Sequence, residues 1–142
     1  MTQLDLAHTG LNRKAHWDQL VSPKHAPGYA ILSENGKLTG LIYTRPCPDG
    51  HRIGPLYAAT YSHARQLLHK AMTVVAESTP GDLVAEIFGT NAEGQKVFAE
   101  LGWEAADEFY HRMWLFGKVP GEQQEGGVGA RGMYAIYDAC TG

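Results

Sequence analysis

Residues 51–76 read HRIGPLYAATYSHARQLLHKAMTVVA, and the spacing of their apolar positions changes once, near residue 60. Before that point, 51–58 is an apolar run of strand length with a proline inside it. After it, Ala64, Leu67, Leu68, Ala71 and Val75 stand at i, i+3, i+4, i+7 and i+11, which is a single helical stripe. Thr60 or Ser62 is placed to cap that helix. Pro80-Gly81 breaks the chain, and 83–88 is a second β-rich run. A strand that feeds a helix and then another strand predicts a parallel crossover.

Working outward, 28–33 and 38–44 read as strands joined by the hairpin turn Glu34-Asn35-Gly36-Lys37. A second turn at 46–50 leads into the strand at 51–58, so the first three strands predict an antiparallel meander. Upstream, 12–21 forms a helix with Trp17, Leu20 and Val21 on one face, ended by Pro23 and Pro27. Downstream, 92–101 forms a helix with Gly94, Val97, Phe98 and Leu101 on one face, ended by Gly102. A long strand at 106–116, a glycine-rich surface loop at 121–132 and a strand at 133–139 follow. The order predicts an α/β fold, a mixed and mostly antiparallel central sheet flanked by helices, in one domain over 1–142.

A chain of 142 residues buries roughly two-thirds of its unfolded surface and needs neither disulfide nor metal to fold. Its net charge of −3 argues against nucleic acid or an anionic membrane as partner. Cys47 and Cys140 have no CxxC spacing and are expected to be two unpaired thiols in a reducing compartment. The seven histidines show no HExxH and no pair with metal spacing, so no metal is expected. The first residues carry no basic region followed by an apolar run, and no stretch approaches the ~18 apolar residues of a membrane span. A cytoplasmic protein is the expectation.

The run Thr90-Asn91-Ala92-Glu93-Gly94-Gln95-Lys96-Val97-Phe98-Ala99-Glu100-Leu101-Gly102-Trp103 resembles the helix N-x-x-A-x-x-L-Y-x-x-x-G-F of GNAT N-acetyltransferases. Asn91, Gly94, Val97, Phe98, Gly102 and Trp103 occupy the motif places. A wider likeness, to the YitH-type GNAT domain, covers nearly the whole chain. It runs through Thr9-Gly10-Leu11-Asn12-Arg13, Gly28-Tyr29, Ile53-Gly54-Pro55-Leu56-Tyr57-Ala58, Arg112-Met113, Gly117 and Pro120.

The resemblance implies the GNAT fold, acetyl-CoA as co-substrate, and transfer of the acetyl group to the amine of a small molecule or peptide. It implies that pantetheine enters a gap between two splaying strands, here 51–58 and 83–88. Backbone groups of Leu56, Tyr57 and Ala58 would face the ligand, and Pro55, which has no N–H, suits the place where pairing stops. The pyrophosphate would lie over the helix start, against Thr60, Ser62, His63 and Ala64. Asn91 and Phe98 on the later helix complete the expected cofactor residues.

Two departures stand out. The stretch Ala59-Thr60-Tyr61-Ser62-His63-Ala64 lacks the glycines of the family's phosphate loop, and Phe98 stands where a general-acid tyrosine is often found. They keep a second reading in view, a non-catalytic ligand-binding or interaction domain on the same fold.

Glu86 interrupts the apolar run at 83–88. A carboxylate in a half-buried strand is a better proton acceptor and suits a general base; the alternative is an ion pair with an arginine such as Arg112, or simple exposure. Tyr57, Tyr110 and His111 are further candidates for proton transfer or substrate contact, and strand alternation lets only one of Tyr110 and His111 point to the site. The apolar strand at 133–139 is expected to pair with a second subunit in a homodimer, or to close its own sheet.

Overall fold

A computed structural model describes residues 1–20, 28–78 and 81–139. The helices are α1 (Thr2–Thr9), α2 (Lys14–Leu20), α3 (Tyr61–Ser78), α4 (Ala92–Glu100) and α5 (Val128–Gly132). The strands are β1 (Gly28–Leu32), β2 (Leu38–Cys47), β3 (Gly50–Ala58), β4 (Asp82–Ala85) and β5 (Met133–Ala135). Val21, Pro23, Pro27, Pro80 and Cys140, which enter the sequence expectations, lie outside the described residues.

The expected meander and crossover are present. β1 pairs antiparallel with β2, with Tyr29 opposite Ile42, and β2 pairs antiparallel with β3. β4 returns parallel to β3, joined through α3, and the pairing runs only from Gly50 opposite Asp82 to Ile53 opposite Ala85. It stops before Gly54 and Pro55, as the missing proline N–H requires. The two strands part there, and β5 enters between them. Leu56 stands opposite Ala135 and Tyr57 opposite Met133. On the other side Ile87 bridges Ala135, and the Ile136 N–H donates to the Glu86 carbonyl at 2.9 Å.

α3 lies on one face of the sheet and buries the whole stripe read from its spacing: Ala64, Leu67, Leu68, Ala71 and Val75. With Ile42, Ile53 and Leu56 from the sheet and Val97 and Phe98 from α4, these form the main core. On the opposite face Trp17, Tyr43 and Tyr137 make a smaller cluster, with the Trp17 and Tyr137 rings edge-to-face at 5.1 Å. Arg45 lies over Tyr137 at 3.7 Å and pairs with Asp138 at 3.0 Å, which ties the residues after β5 to β2.

The structure departs from the sequence expectations, or goes beyond them, at four places. Residues 2–9 form a helix that no apolar period announces. Residues 106–116 form no strand: Phe109, Tyr110, Met113, Leu115 and Phe116 are exposed, with a single 3-10 turn at Leu115–Gly117. The ladder position inside the sheet is held by β5, so this segment has no strand to pair with there. β5 spans three residues, not the seven expected, and closes its own sheet. The glycine-rich stretch is ordered as a 3-10 turn (Gly121–Gln123) and α5. Among the described residues no helix is long and apolar enough to cross a membrane.

Gly54 has φ 151°, and a Cβ there would run into the carbonyl oxygen of Ile136. Gly54→Ala is expected to push β5 from its place and to cost about 2–3 kcal/mol. A lowered melting temperature with faster hydrogen exchange at the Ile136 amide checks this. Unchanged exchange there would show that β5 does not depend on the glycine.

Candidate active site

α1 is built the reverse of most surface helices. Its buried residues are Asp5, His8 and Thr9, while Leu6 is 45% exposed. The helix ends at Gly10, whose φ of 69° is the left-handed conformation glycine supplies freely, and the Gly10 N–H donates to Leu6 O at 2.8 Å. Asp5 is wholly buried. Its Oδ1 accepts from the Tyr57 hydroxyl at 2.6 Å and from Arg13 Nη2 at 2.5 Å, and its Oδ2 accepts from Arg13 Nε at 3.1 Å. Arg13 Nη2 also donates to the Tyr57 oxygen at 3.4 Å. A buried carboxylate needs this many partners, because removing charge from water costs several kcal/mol per ion. Burial, and then the Asp5 charge and hydrogen bond, push the Tyr57 phenol well above its ordinary pKa.

His8 sits on the same helix with its ring stacked on Tyr57, centroids 4.8 Å apart and planes 21° from parallel. Its Nδ1 lies 2.8 Å from Leu4 O. A carbonyl only accepts, so Nδ1 carries the proton and Nε2 carries a lone pair. Burial lowers the pKa of the ring, against the opposing pull of the Leu4 carbonyl and Asp5.

Nε2 lies against Gly132 of α5, at the wall of a cavity of about 740 Å³ at the C-terminal end of β3. α1 forms one side; Ala58, Ala59 and Thr60 form the floor; the start of α4, α5 and Tyr134 close the rest. The beginnings of two helices reach it. Thr60 Oγ1 accepts from the His63 N–H at 3.2 Å at the head of α3. Asn91 Oδ1 accepts from the N–H groups of Glu93 and Gly94 at 3.1 and 3.3 Å at the head of α4. Helix N-termini favour anions, and Lys37 and Arg131 add positive charge to the lining.

The residues expected from the sequence are thereby sorted. Ala58, Thr60 and Asn91 line the cavity, and Tyr57 lies behind it under His8. The backbone of Leu56 and Tyr57 does not face a ligand, since β5 pairs with it. Asn91 also fastens β5 through Nδ2, which donates to Met133 O at 3.1 Å. Ala64 is buried under the sheet, and Phe98 packs in the core against Trp103 at 4.9 Å, so neither reaches the cavity. Ser62 is exposed and His63 half-buried beside it.

Glu86 pairs with Arg52, not with Arg112, and is not part of the cavity wall. Arg112 bonds to Gln123, which in turn donates to Thr9 O at 2.5 Å and braces the end of α1. Tyr110 and His111 are on the exposed unpaired segment, with the Tyr110 hydroxyl 3.4 Å from Glu108 and away from the cavity. His8 and Asp5 were missed. Their signal was two polar residues three apart, on a face that an amphipathic reading would assign to solvent. Among the described residues no group of three His, Cys, Asp or Glu is arranged to hold a metal.

Two outcomes follow from this network. Asp5→Ala leaves Arg13 buried with its main partner gone and is expected to cost about 3–5 kcal/mol, read by denaturant unfolding. For His8 the folded pKa is depressed, so the unfolded chain takes up the proton first. The stabilisation is present above the unfolded value near 6.5 and is lost as pH falls through the folded value. Between pH 7 and 5 the wild-type melting temperature should therefore fall more steeply than that of His8→Asn. Parallel slopes would contradict the assignment.

The acetyltransferase (GNAT) domain family matches residues 1–125, from the first helix to just short of α5 and β5. No curated protein and no solved structure matches the chain. The matched span holds the meander, the parallel crossover through α3, the parting of β3 from β4 and the helix capped by Asn91. It is most of the molecule, and on it the chain belongs to the GNAT family of acetyltransferase domains.

Proposed function

We propose that the chain moves an acetyl group from acetyl-CoA to the amine of a small molecule or peptide, at the cavity beyond the end of β3. The observation that carries this reading is the meeting of two helix beginnings, at Thr60 and Asn91, in one cavity beside the bare Nε2 of His8. Phosphate oxygens suit the helix beginnings, the Thr60 hydroxyl, Lys37 and Arg131. The volume is ordinary for a small-molecule site. The Ile53-Gly54-Pro55-Leu56-Tyr57-Ala58 block and Arg112-Met113 favour the YitH-type branch of the family.

The residues fit acetyl-CoA in the cavity and do not fit it in the gap between β3 and residues 86–87. Met133 and Ala135 already occupy the backbone positions opposite Tyr57 and Leu56. The thioester arm therefore lies beside Ala58 in the cavity while β5 stays in the sheet. Acetyl-CoA supplies an activated acyl group there. The chain would hold the anionic end and keep the arm beside α1. Glu86 is given a structural part, since Arg52 takes its charge.

The self-filled gap and the core position of Phe98 favour a second reading, a ligand-binding domain that has lost transfer. Calorimetric titration with acetyl-CoA and with CoA, followed by an acetylation assay over a panel of amines, separates the two. Binding weakened about tenfold by the pair Lys37→Ala and Arg131→Ala, about 1.4 kcal/mol, is the expected result. Glu86→Gln should lower the melting temperature and leave turnover standing. No heat at millimolar acetyl-CoA would end both the transfer reading and this placement of the ligand.

A further inference from the structure

We propose that His8, through Nε2, takes the proton from the attacking amine in this cavity. The inference rests on the acetyl-transfer reading above. His8 is 7% exposed, lines the cavity, and its one recorded hydrogen bond is through Nδ1 to Leu4 O. No partner for Nε2 is found among the described residues.

The imidazole is held on three sides. Leu4 O fixes the tautomer. The Tyr57 ring fixes the plane from one face, and Tyr57 is itself fixed by Asp5 and Arg13. Above Nε2 stands Gly132, where any side chain would strike that nitrogen. A bare backbone at this point leaves space beside Nε2 at the cavity wall that a side chain would fill, and the glycine is needed for no left-handed turn.

The other titratable groups nearby are engaged. The Tyr57 hydroxyl is already donated to Asp5. The Tyr134 hydroxyl is donated to Glu93 at 3.2 Å. Lys37 and Arg131 are cations. The charged groups around His8 are Asp5 on its own helix, Arg13 beyond it, Arg131 on α5 and Glu122 on the 3-10 turn packed against α1.

The step balances with the thioester as co-reactant. The lone pair of a neutral amine attacks the carbonyl carbon, and an N–C bond forms. The N–H proton passes to Nε2. The C–S bond breaks, sulfur leaves with the electron pair, and it takes the proton from the imidazolium, giving a thiol and restoring the neutral ring. A ring that burial keeps unprotonated near neutral pH is in the right state to begin this.

His8→Asn tests the proposal, because its amide can still donate to Leu4 O while nothing stands at Nε2. The expected result is a fall in kcat of about 100-fold or more, with the calorimetric affinity for acetyl-CoA unchanged. The acid limb of the wild-type pH profile, lying below pH 6.5, should be absent from the variant. His8→Gln, which offers an amide but no basic nitrogen, should also lose kcat, and the melting temperature and acetyl-CoA affinity of both variants show that they are folded.

Nitrogen NMR of the wild type gives a readout without turnover. His8 should carry its proton on Nδ1, and its Nε2 resonance should move when an accepted amine is added with CoA. A kcat within about two-fold of wild type in His8→Asn, or a proton found on Nε2, would each overturn the proposal. Failure of the wild type to bind acetyl-CoA, or binding without transfer to any amine, instead overturns the transfer reading, so titration and assay of the wild type tell the two failures apart.

Discussion

The Asp5 carboxylate is wholly buried on a helix of only eight residues, and the arrangement around β3 follows from how its charge is met. A helix this short does not hold itself together in water. α1 offers the core no apolar stripe to compensate. What pins it is an acid that reaches into the sheet and gathers Arg13 and the Tyr57 hydroxyl. Once Tyr57 is fixed from below, its ring becomes the shelf on which His8 rests, and α1 becomes a wall of the cavity. Gln123 adds a brace by donating to Thr9 O, so the far end of the chain holds the same helix in place.

The central architecture was legible because its signals are periodic. Alternation and the Asn35-Gly36 turn located β1 and β2, and the change of period near residue 60 located the crossover. Thr60 was legible as a helix beginning from capping chemistry, whereas Asn91 was picked out by the family resemblance. The first helix was not, since periodicity detects apolar faces and the inward face of α1 is Asp5, His8 and Thr9. The segment at 106–116 misled for the opposite reason. Its residues are strand-like, yet a strand also needs a neighbouring ladder, and which segment obtains that ladder is settled by competition across the whole chain.

The site divides along the same line. An acid interrupting an apolar run looks identical whether it is a base or half of an ion pair. In the fold one Glu86 oxygen meets Arg52, thirty-four residues earlier and two positions before Gly54, on the neighbouring strand. His8 carries no motif. Its candidacy arises from one hydrogen bond that fixes a tautomer and from a glycine contributed by α5, 124 residues away. The hydrogen bond is local to α1, four residues apart, whereas the glycine contact appears only when α1 and α5 meet.

The late position of β5 also bears on how the molecule is made. Ribosomes release residues in order, so β3 and β4 are free to pair long before Met133 appears. Through that interval the edge of β3 at Leu56 and Tyr57 has open amide and carbonyl groups, and the main core lacks Tyr134 and Ala135. The sheet is thus completed by a contact spanning nearly eighty residues, the kind of long-range closure that slows folding. Until it forms, an unpaired strand edge and the exposed apolar segment around Phe109 are present together. The interval between the emergence of β3 and that of β5 is therefore the stage at which an unfinished chain is most open to wrong pairing.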